Sequence, residues 1–439
     1  MAAEWYMEFA GVEVVNHSRL DQYLVTVGSP LDSSGACGCP TFTAEVLDQL
    51  PYTTPDDEDN PAPWYDPDVP ESTEFAGVMV LEVAGLDDFP VQRTVAGGIA
   101  GGGAIGPARA LPRTITVTAI LLGSTCCGVQ YGLQWLGQVL QGCTGGQCDG
   151  DCLVVYDCCP GQGLTPEEFN QRHRRTLRRV ALVEGPRVTA RAGTGCTTGT
   201  CQSGADILTV EWVMTAAVPW LWTDALPVLE VTPPMDLDGD CVDWCLHPAG
   251  DAGCPGGCKF AACLDPTAAC ADTRCIPEAP PLPGAPLATC FCLPLASERA
   301  CYDMDLSDRP NWSTDLPVVT VRSGSTDLRN LTIAIYESGE AGMTCDQVAD
   351  FNRCSPVNYW HVAWVPAGGA VTLDGQTGRA TVECGGACES SGDVYGVDGM
   401  PPTYKPLECS TFCVCIETDI EHPPAVDALV TLNVSGRGR

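Results

Sequence analysis

Short runs in which apolar and polar residues alternate fill much of this chain, the period-two signature of half-buried strands. Residues 75–83 (FAGVMVLEV) and 113–121 (RTITVTAIL) open the series, with Ile115, Val117 and Ala119 set against threonines. Residues 152–156 (CLVVY), 177–183 (LRRVALV) and 207–215 (ILTVEWVMT) continue it, rich in β-branched side chains. Two helices are predicted between the strands. Residues 129–140 (VQYGLQWLGQVL) put Val129, Leu133, Leu136 and Leu140 on one stripe, as a helix lying on a sheet requires. The second starts at Thr165-Pro166-Glu167-Glu168, where threonine caps, proline takes the first helical position and glutamate closes a capping box.

Beyond residue 234 the pattern fails. Residues 235–310 hold 10 of the chain's 28 cysteines, many prolines and no periodic apolar signal. Such a segment cannot fold on burial alone and has to be cross-linked or draped over its neighbours. Strands then resume at 318–322, 331–336, 359–365, 371–373, 380–383, 412–417 and 428–434, with a hairpin turn at 373–378 (LDGQTG). One helix is predicted among them, 344–352 (TCDQVADFN), with Thr344 as cap and Gln347 closing the box. The expected fold is therefore mainly β. An N-terminal β-sandwich-type domain with two short helices covers 1–234, a cysteine-rich irregular connector 235–310, and a C-terminal β-sandwich or jelly roll 311–439.

Two segments read as loops. Residues 51–74 carry Asp56-Asp57-Glu58-Asp59 among prolines, with Trp64 and Tyr65 side by side, the composition of a long surface insertion. Residues 97–106 (GGIAGGGAIG) read as a flexible loop; they match G-x-G-x-x-G, but Pro107 and a strand follow where a phosphate site needs a helix.

Composition narrows the function. A length of 439 residues favours two or three domains, and 47 glycines with 36 prolines disfavour long helices. The formal charge of −34 repels nucleic acid and anionic membrane, so neither is an expected partner. The opening MAAEWYMEFAGVEVV lacks the basic and apolar regions of a signal peptide, and no apolar stretch reaches membrane-spanning length. The five histidines are scattered and neither G-x-S-x-G nor H-E-x-x-H occurs, so no catalytic residues are assigned and an enzyme is not expected. Asp236-Leu237-Asp238-Gly239-Asp240 resembles the start of a calcium loop, but Cys241 and His247 stand where an EF-hand needs glycine and glutamate. A solvated acidic turn is the plainer reading, and no cofactor or metal is assigned.

The cysteines are the strongest chemical signal. No C-x-x-C occurs; close spacings include Cys241/Cys245, Cys254/Cys258, Cys384/Cys388 and Cys409/Cys413, with Cys37/Cys39, Cys196/Cys201 and Cys290/Cys292 near one another and Cys126/Cys127 and Cys158/Cys159 adjacent. Cys345 and Cys354 bracket the predicted C-terminal helix, a place for a local staple. Disulfides are the first reading, with free thiols and zinc as the alternative. Arginine is concentrated as well. Arg172, Arg174, Arg175, Arg178, Arg179, Arg187 and Arg191 form a basic stretch in an acidic chain. It is either a solvated face or a surface that meets an acidic face on a neighbouring copy.

Several segments resemble the distal tail proteins, often called minor tail proteins, of long-tailed bacteriophages that infect actinobacteria. They are 9–24 (FAGVEVVNHSRLDQYL), with Asn16, Arg19 and Tyr23, then 113–121, 131–140, 153–160 (LVVYDCCP), 175–188 (RTLRRVALVEGPRV) and 208–222 (LTVEWVMTAAVPWLW). Residues 317–336 and 366–382 are similar to the C-terminal β-domain of the larger members. The resemblance implies a structural virion protein, forming a usually six-fold ring at the distal end of the tail. Its implied partners are itself, the tail tube protein, the tape measure protein and the tail-tip or baseplate hub proteins. The competing expectation is a binding module whose C-terminal sandwich recognises a host-surface glycan through Trp312, Tyr359, Trp360 and Trp364.

Overall fold

The computed structural model describes residues 5–29, 41–98, 101–143, 150–159, 163–193, 206–235, 241–245, 290–294, 297–309, 313–338, 342–384, 387–408 and 410–438, the backbone alone at 241–245, 290–294, 382–384 and 387–390. The protein is mainly β and falls into two compact units, 1–224 with 436–439, and 225–435. The dividing point lies ten residues before the expected boundary at 234, because 226–231 pair as a strand of the second unit.

In the first unit the strands are β1 (Tyr6–Phe9), β2 (Val12–Asn16), β3 (Phe75–Ala84), β4 (Val91–Gln92), β5 (Val95–Gly97), β6 (Gly103–Ile105), β7 (Arg109–Ala110), β8 (Arg113–Gly123), β9 (Asp151–Tyr156), β10 (Arg174–Gly193), β11 (Asp206–Ala216) and β12 (Leu221–Thr223). The helices are α1 (His17–Thr26), α2 (Cys126–Val139) and α3 (Pro166–His173). The main ladder runs β3, β8, β11, β10, and β10 then continues beside β9, which pairs with β1 and through it β2. β10 makes this possible by bending. Its first residues sit between β9 and β12, its later ones pair only with β11, and bulges interrupt the register near Leu182, Glu184 and Val188.

β11 buries every second side chain, so Leu208, Val210, Trp212 and Met214 enter one core with Ile115, Val117 and Leu121 of β8. α2 lies on this sheet through Val129, Leu136 and Leu140, as its stripe predicts. Its approach to β3 is close: a Cβ on Gly132 would meet the Phe75 ring at 2.3 Å. α1 was not among the predicted helices. Asn16 caps it by accepting from the Arg19 backbone N–H, and Leu20, Tyr23 and Leu24 face the core.

The acidic insertion is more than a surface loop. Trp64 is buried in edge contact with Phe75 and Trp135, at 5.1 and 5.5 Å between ring centres, and its indole N–H donates to the Phe75 carbonyl. Arg19 ties the insertion down, donating to the Asn60 backbone and side chain while paired with Glu13 at 2.8 Å and lying over the Tyr52 ring. The tip behaves as expected: Asp56, Glu58 and Asp59 are exposed. The glycine-rich segment also differs from a plain loop. β4 with β7 and β5 with β6 make a two-stranded arm, exposed from 91 to 98 and, apart from Gly106, from 101 to 112. At its root, buried Arg113 donates to the carbonyls of Leu86 and Pro219, and Gly85 (φ +86°) passes so near Thr114 that no Cβ fits.

The second unit is a β-sandwich. Its strands are β13 (Leu226–Val231), β14 (Cys241–Cys245), β15 (Cys290–Pro294), β16 (Ser297–Asp305), β17 (Thr314–Arg322), β18 (Leu328–Glu337), β19 (Asn358–Val365), β20 (Ala370–Asp374), β21 (Arg379–Cys384), β22 (Ala387–Ser390), β23 (Val394–Tyr395), β24 (Thr411–Asp419) and β25 (Leu429–Gly438), with helix α4 (Cys345–Phe351). One sheet runs β16, β24, β18, β19, β23, the other β13, β25, β17, β20, β21, β22. Val319, Val321, Val371, Leu373, Val430 and Leu432 of one pack against Ile333, Ile335, Trp360, Val362, Val414 and Ile416 of the other. β16 comes from the segment expected to be irregular, and β14 pairs antiparallel with β15 within it. The residues of the acidic 236–240 turn lie outside the described ones. Among the described residues no helix is long and apolar enough to cross a membrane.

Candidate functional site

The arginine stretch begins where α3 ends. Thr165 accepts from the Glu168 backbone N–H while the Glu168 carboxylate accepts from the Thr165 backbone, so the predicted capping box is present. Phe169 and His173 are four apart on one helix face. That face is clamped to the end of β9: Phe169 stacks on Tyr156 at 4.8 Å, Phe42 meets both rings edge-on, and the Tyr156 hydroxyl donates to Asn170. The β9–β10 ladder sets Arg174 opposite Tyr156 and carries on one step, the Asp157 backbone N–H donating to the His173 carbonyl. Asp157, Cys158 and His173 are thereby brought together.

Their donor atoms converge. His173 Nδ1 lies 2.9 Å from Cys158 Sγ and 2.9 Å from Asp157 Oδ1. The other carboxylate oxygen, Oδ2, is 2.5 Å from Arg175 Nη2. Arg175 is buried and donates besides to the carbonyls of Arg172 and Arg174, which fixes the guanidinium and through it Asp157. Burial lowers the Arg175 pKa against the pull of Asp157. Burial and then the Asp157 carboxylate push the Cys158 thiol up. Cys158 is a free thiol, as are Cys127 and Cys152, whereas the adjacent Cys126 and Cys159 are in disulfides.

Arg174 pairs with Asp224 at 3.3 Å, Arg175 with Asp157, Arg187 with Glu211 at 2.9 Å and Arg191 with Asp206 at 3.6 Å. At the Arg174–Asp224 pair burial disfavours both charges; it prevails at Asp224, whose carboxyl is raised, while the carboxylate holds Arg174 above its usual range. Arg178 is half-buried, with Nη1 3.7 Å from Cys152 Sγ and no partner for Nε. Arg172, Arg179 and Arg187 are exposed. Carboxylates of the chain itself thus meet Arg174, Arg175, Arg187 and Arg191.

The cysteine pairing also differs from expectation. Cys345 bonds to Cys413, not Cys354, and Cys301 bonds to Cys415. The reason is length: α4 advances about 9 Å over its seven residues, beyond the Cα separation a disulfide spans. Cys345, at the helix start, meets β24 instead, and Cys413 is thus unavailable to Cys409. Cys354 is in a disulfide as well. Cys254, Cys258 and Cys409 lie outside the described residues, and of Cys241, Cys245, Cys384 and Cys388 only the backbone is described. Among the expected aromatics, Trp360 is wholly buried and donates to the Thr403 carbonyl, a core residue. Trp364 is exposed and donates to Asp327, Tyr359 is half-buried, and Trp312 is outside the described residues.

Asp157, Cys158 and His173 were not singled out from sequence; the available signal was the Cys158/Cys159 pair lying a short loop and one capped helix before a histidine. No protein-family model matches the chain, and no curated protein matches it. Among solved structures, the chain is similar to the SPP1 Dit protein, described as a paradigm of the hub adsorption apparatus in phages infecting Gram-positive bacteria. The two are 11% identical with a TM-score of 0.31, over 79% of this chain and 94% of that one. At that level no residue role is carried across.

Proposed function

We propose that this chain is a non-enzymatic structural component of a phage tail, which assembles with copies of itself into a ring at the distal end of the tail tube and joins the tube to the tail-tip proteins. The resemblance of the segments at 9–24, 131–140, 175–188 and 208–222 supplies the class. The observation that carries the assembly is an excess of unpaired β surface on the first unit. An isolated two-stranded ribbon is marginal in water, yet the β4–β7 arm holds Phe89, Val91, Val95, Ile105 and Leu111 exposed, Val95 at 70%. β10 pairs on one side only from 181 to 193 among the described residues, leaving a long strand edge with Val183 and Val188 exposed. A neighbouring copy that adds its arm or strand here covers both. Arg172, Arg179 and Arg187 are the exposed arginines that such a neighbour meets, and Asp87 and Asp88 at the arm's root offer acidic partners. Tail tube, tape measure and hub proteins are the remaining partners in this reading, and the hexamer its stoichiometry.

Native mass measurement and negative-stain imaging of the whole protein test it. Closed rings are expected, and Val95→Asp with Ile105→Asp should dissociate them while the second unit stays folded. A strict monomer at micromolar concentration overturns the reading. A second reading rests on the outer face of the five-stranded sheet, where the register aligns Tyr395, His361, Thr332, Glu417 and Arg299 in one polar row beside Tyr359. Polar groups flanked by aromatics suit a sugar ring. Retention of host polysaccharide by the whole protein, lost in His361→Ala with Tyr395→Ala, supports this role; no retention removes it.

A further inference from the structure

We propose that Asp157, Cys158 and His173 form a binding site for a divalent cation of the zinc class. One sulfur, one imidazole nitrogen and one carboxylate oxygen is the donor set that such an ion selects; magnesium and calcium take oxygen alone. The three donor atoms lie within 4.8 Å of one another. In a tetrahedral zinc site, ligand atoms stand about 3.2–3.7 Å apart, given bonds of about 2.0–2.3 Å. Seating an ion here therefore opens the Nδ1–Sγ and Nδ1–Oδ1 pairs, now at 2.9 Å, by less than about 1 Å each.

One ring nitrogen, Nδ1, lies 2.9 Å from both Sγ and Oδ1, while the Cys158 thiol also has the Cys159 carbonyl as an acceptor at 3.3 Å. A cation at the centre of the three donor atoms would be ligated by all of them. Arg175 occupies Oδ2 and leaves Oδ1 turned to the imidazole, the arrangement in which an outer hydrogen bond aims a ligating carboxylate. The site is also reachable: the side chains of His173 and Asp157 are 24% and 32% exposed, which admits the ion and leaves its fourth position to water. Cys158 gives up its proton on binding. The bound ion pins the end of β9 to the end of α3, where the arginine-bearing strand begins. Nothing in this depends on the ring.

Because the chain has 28 cysteines, the test is a difference. The whole protein is stripped with chelator, reloaded with zinc or cobalt(II), and its metal content and cobalt spectrum are measured. Cys158→Ser and His173→Ala should each lose one equivalent of zinc and the matching share of thiolate-to-cobalt charge-transfer absorption. Asp157→Asn should weaken binding about tenfold or more. Cys127→Ser, an exposed free thiol, should lose nothing. A metal content and spectrum in Cys158→Ser and His173→Ala equal to those of the unsubstituted protein overturn the site. A measurement without variants covers the case in which they fail to fold: zinc should slow alkylation of Cys158 about tenfold and leave Cys127 unchanged. Equal rates at Cys158 with and without zinc also overturn it.

Discussion

Each unit of the protein gathers a carboxylate and two soft donors, and the two gatherings end in different chemistry. In the second unit these are Asp303, Cys345 and Cys413; in the first, Asp157, Cys158 and His173. Both are produced by a short capped helix laid on a strand. Thr344 and Gln347 cap α4 as Thr165 and Glu168 cap α3. In the second unit both soft donors are sulfur, they are buried among Tyr336, Val348 and Ala349, and they close a covalent bond. In the first unit Cys159, the neighbouring sulfur, is engaged in another disulfide, so Cys158 faces an imidazole on a half-open surface. The lesson is that the cysteine count does not set the chemistry. Which second donor the fold presents, and whether water reaches it, decides between a permanent staple and an exchangeable ligand set.

Reduction should separate the two most sharply. The bridges Cys345–Cys413 and Cys301–Cys415 span 68 and 114 residues, so in the chain-entropy account each contributes about 4–5 kcal/mol. Replacing Cys345 and Cys413 together by serine should lower the second unit's melting temperature by about 10 °C, read by hydrogen exchange resolved along the sequence. Protection of β8 and β11 in the first unit should not change. A second unit that melts unaltered would break the comparison.

Next in size is the ion pair that orients Asp157. Arg175→Ala removes a buried guanidinium and leaves two carbonyls and one carboxylate oxygen without their donor. Asp157 is partly solvated, so the expected loss is about 2–3 kcal/mol rather than the full cost of a buried unpaired charge. Urea unfolding of the first unit measures it. Arg175→Lys should recover only part, since an ammonium cannot reproduce the fork. An unaltered midpoint in Arg175→Ala would mean Asp157 is held by something else.

Much of this architecture is legible in the sequence, and the gaps have identifiable causes. The strands at 113–121 and 207–215 and both capping boxes follow from local pattern, which the structure keeps. α1 is hidden because His17, Ser18 and Arg19 are polar yet buried, so its periodicity is not apolar. Trp64 looks like a loop residue until Gly132 lets Phe75 and α2 close around it. The disulfide partners are illegible for a simpler reason: residues 68 and 114 apart meet only through sheet register, which one sequence does not display. The partners of the arginines are hidden for the same reason, since Asp206 and Glu211 of β11 and Asp224 just beyond β12 reach them from later in the chain.

Metal removal is a smaller effect and acts on the other unit. With free zinc at ten times its dissociation constant, the site adds about 1.4 kcal/mol to the first unit. Chelator should lower that unit's melting temperature by a few degrees and leave the second unit where it was. A chelator effect confined to the second unit would reverse the assignment of staple and ligand set.

The smallest effect concerns a histidine that has neither carboxylate nor thiol within reach of its ring. His361 stands on the outer face of the second unit, with Nδ1 3.0 Å from the Thr332 hydroxyl and the Glu417 charge acting on the ring. Burial lowers its pKa, and Glu417 offsets only part of this. The fold therefore favours the neutral ring. The unfolded chain takes up the proton near pH 6.5, before the folded one does, so lowering the pH through about 6.5 draws the equilibrium toward unfolding. The second unit should lose stability over that window, and the loss should stop once the folded-state pKa is passed. His361→Gln keeps a hydrogen bond to Thr332 and removes the titration, so its melting temperature should fall less across the same window. Because no metal is involved, chelator should leave both slopes unchanged, whereas acid should release zinc from His173 and Cys158 in the first unit. An undiminished slope in His361→Gln would assign the pH response to the carboxylates of that face instead.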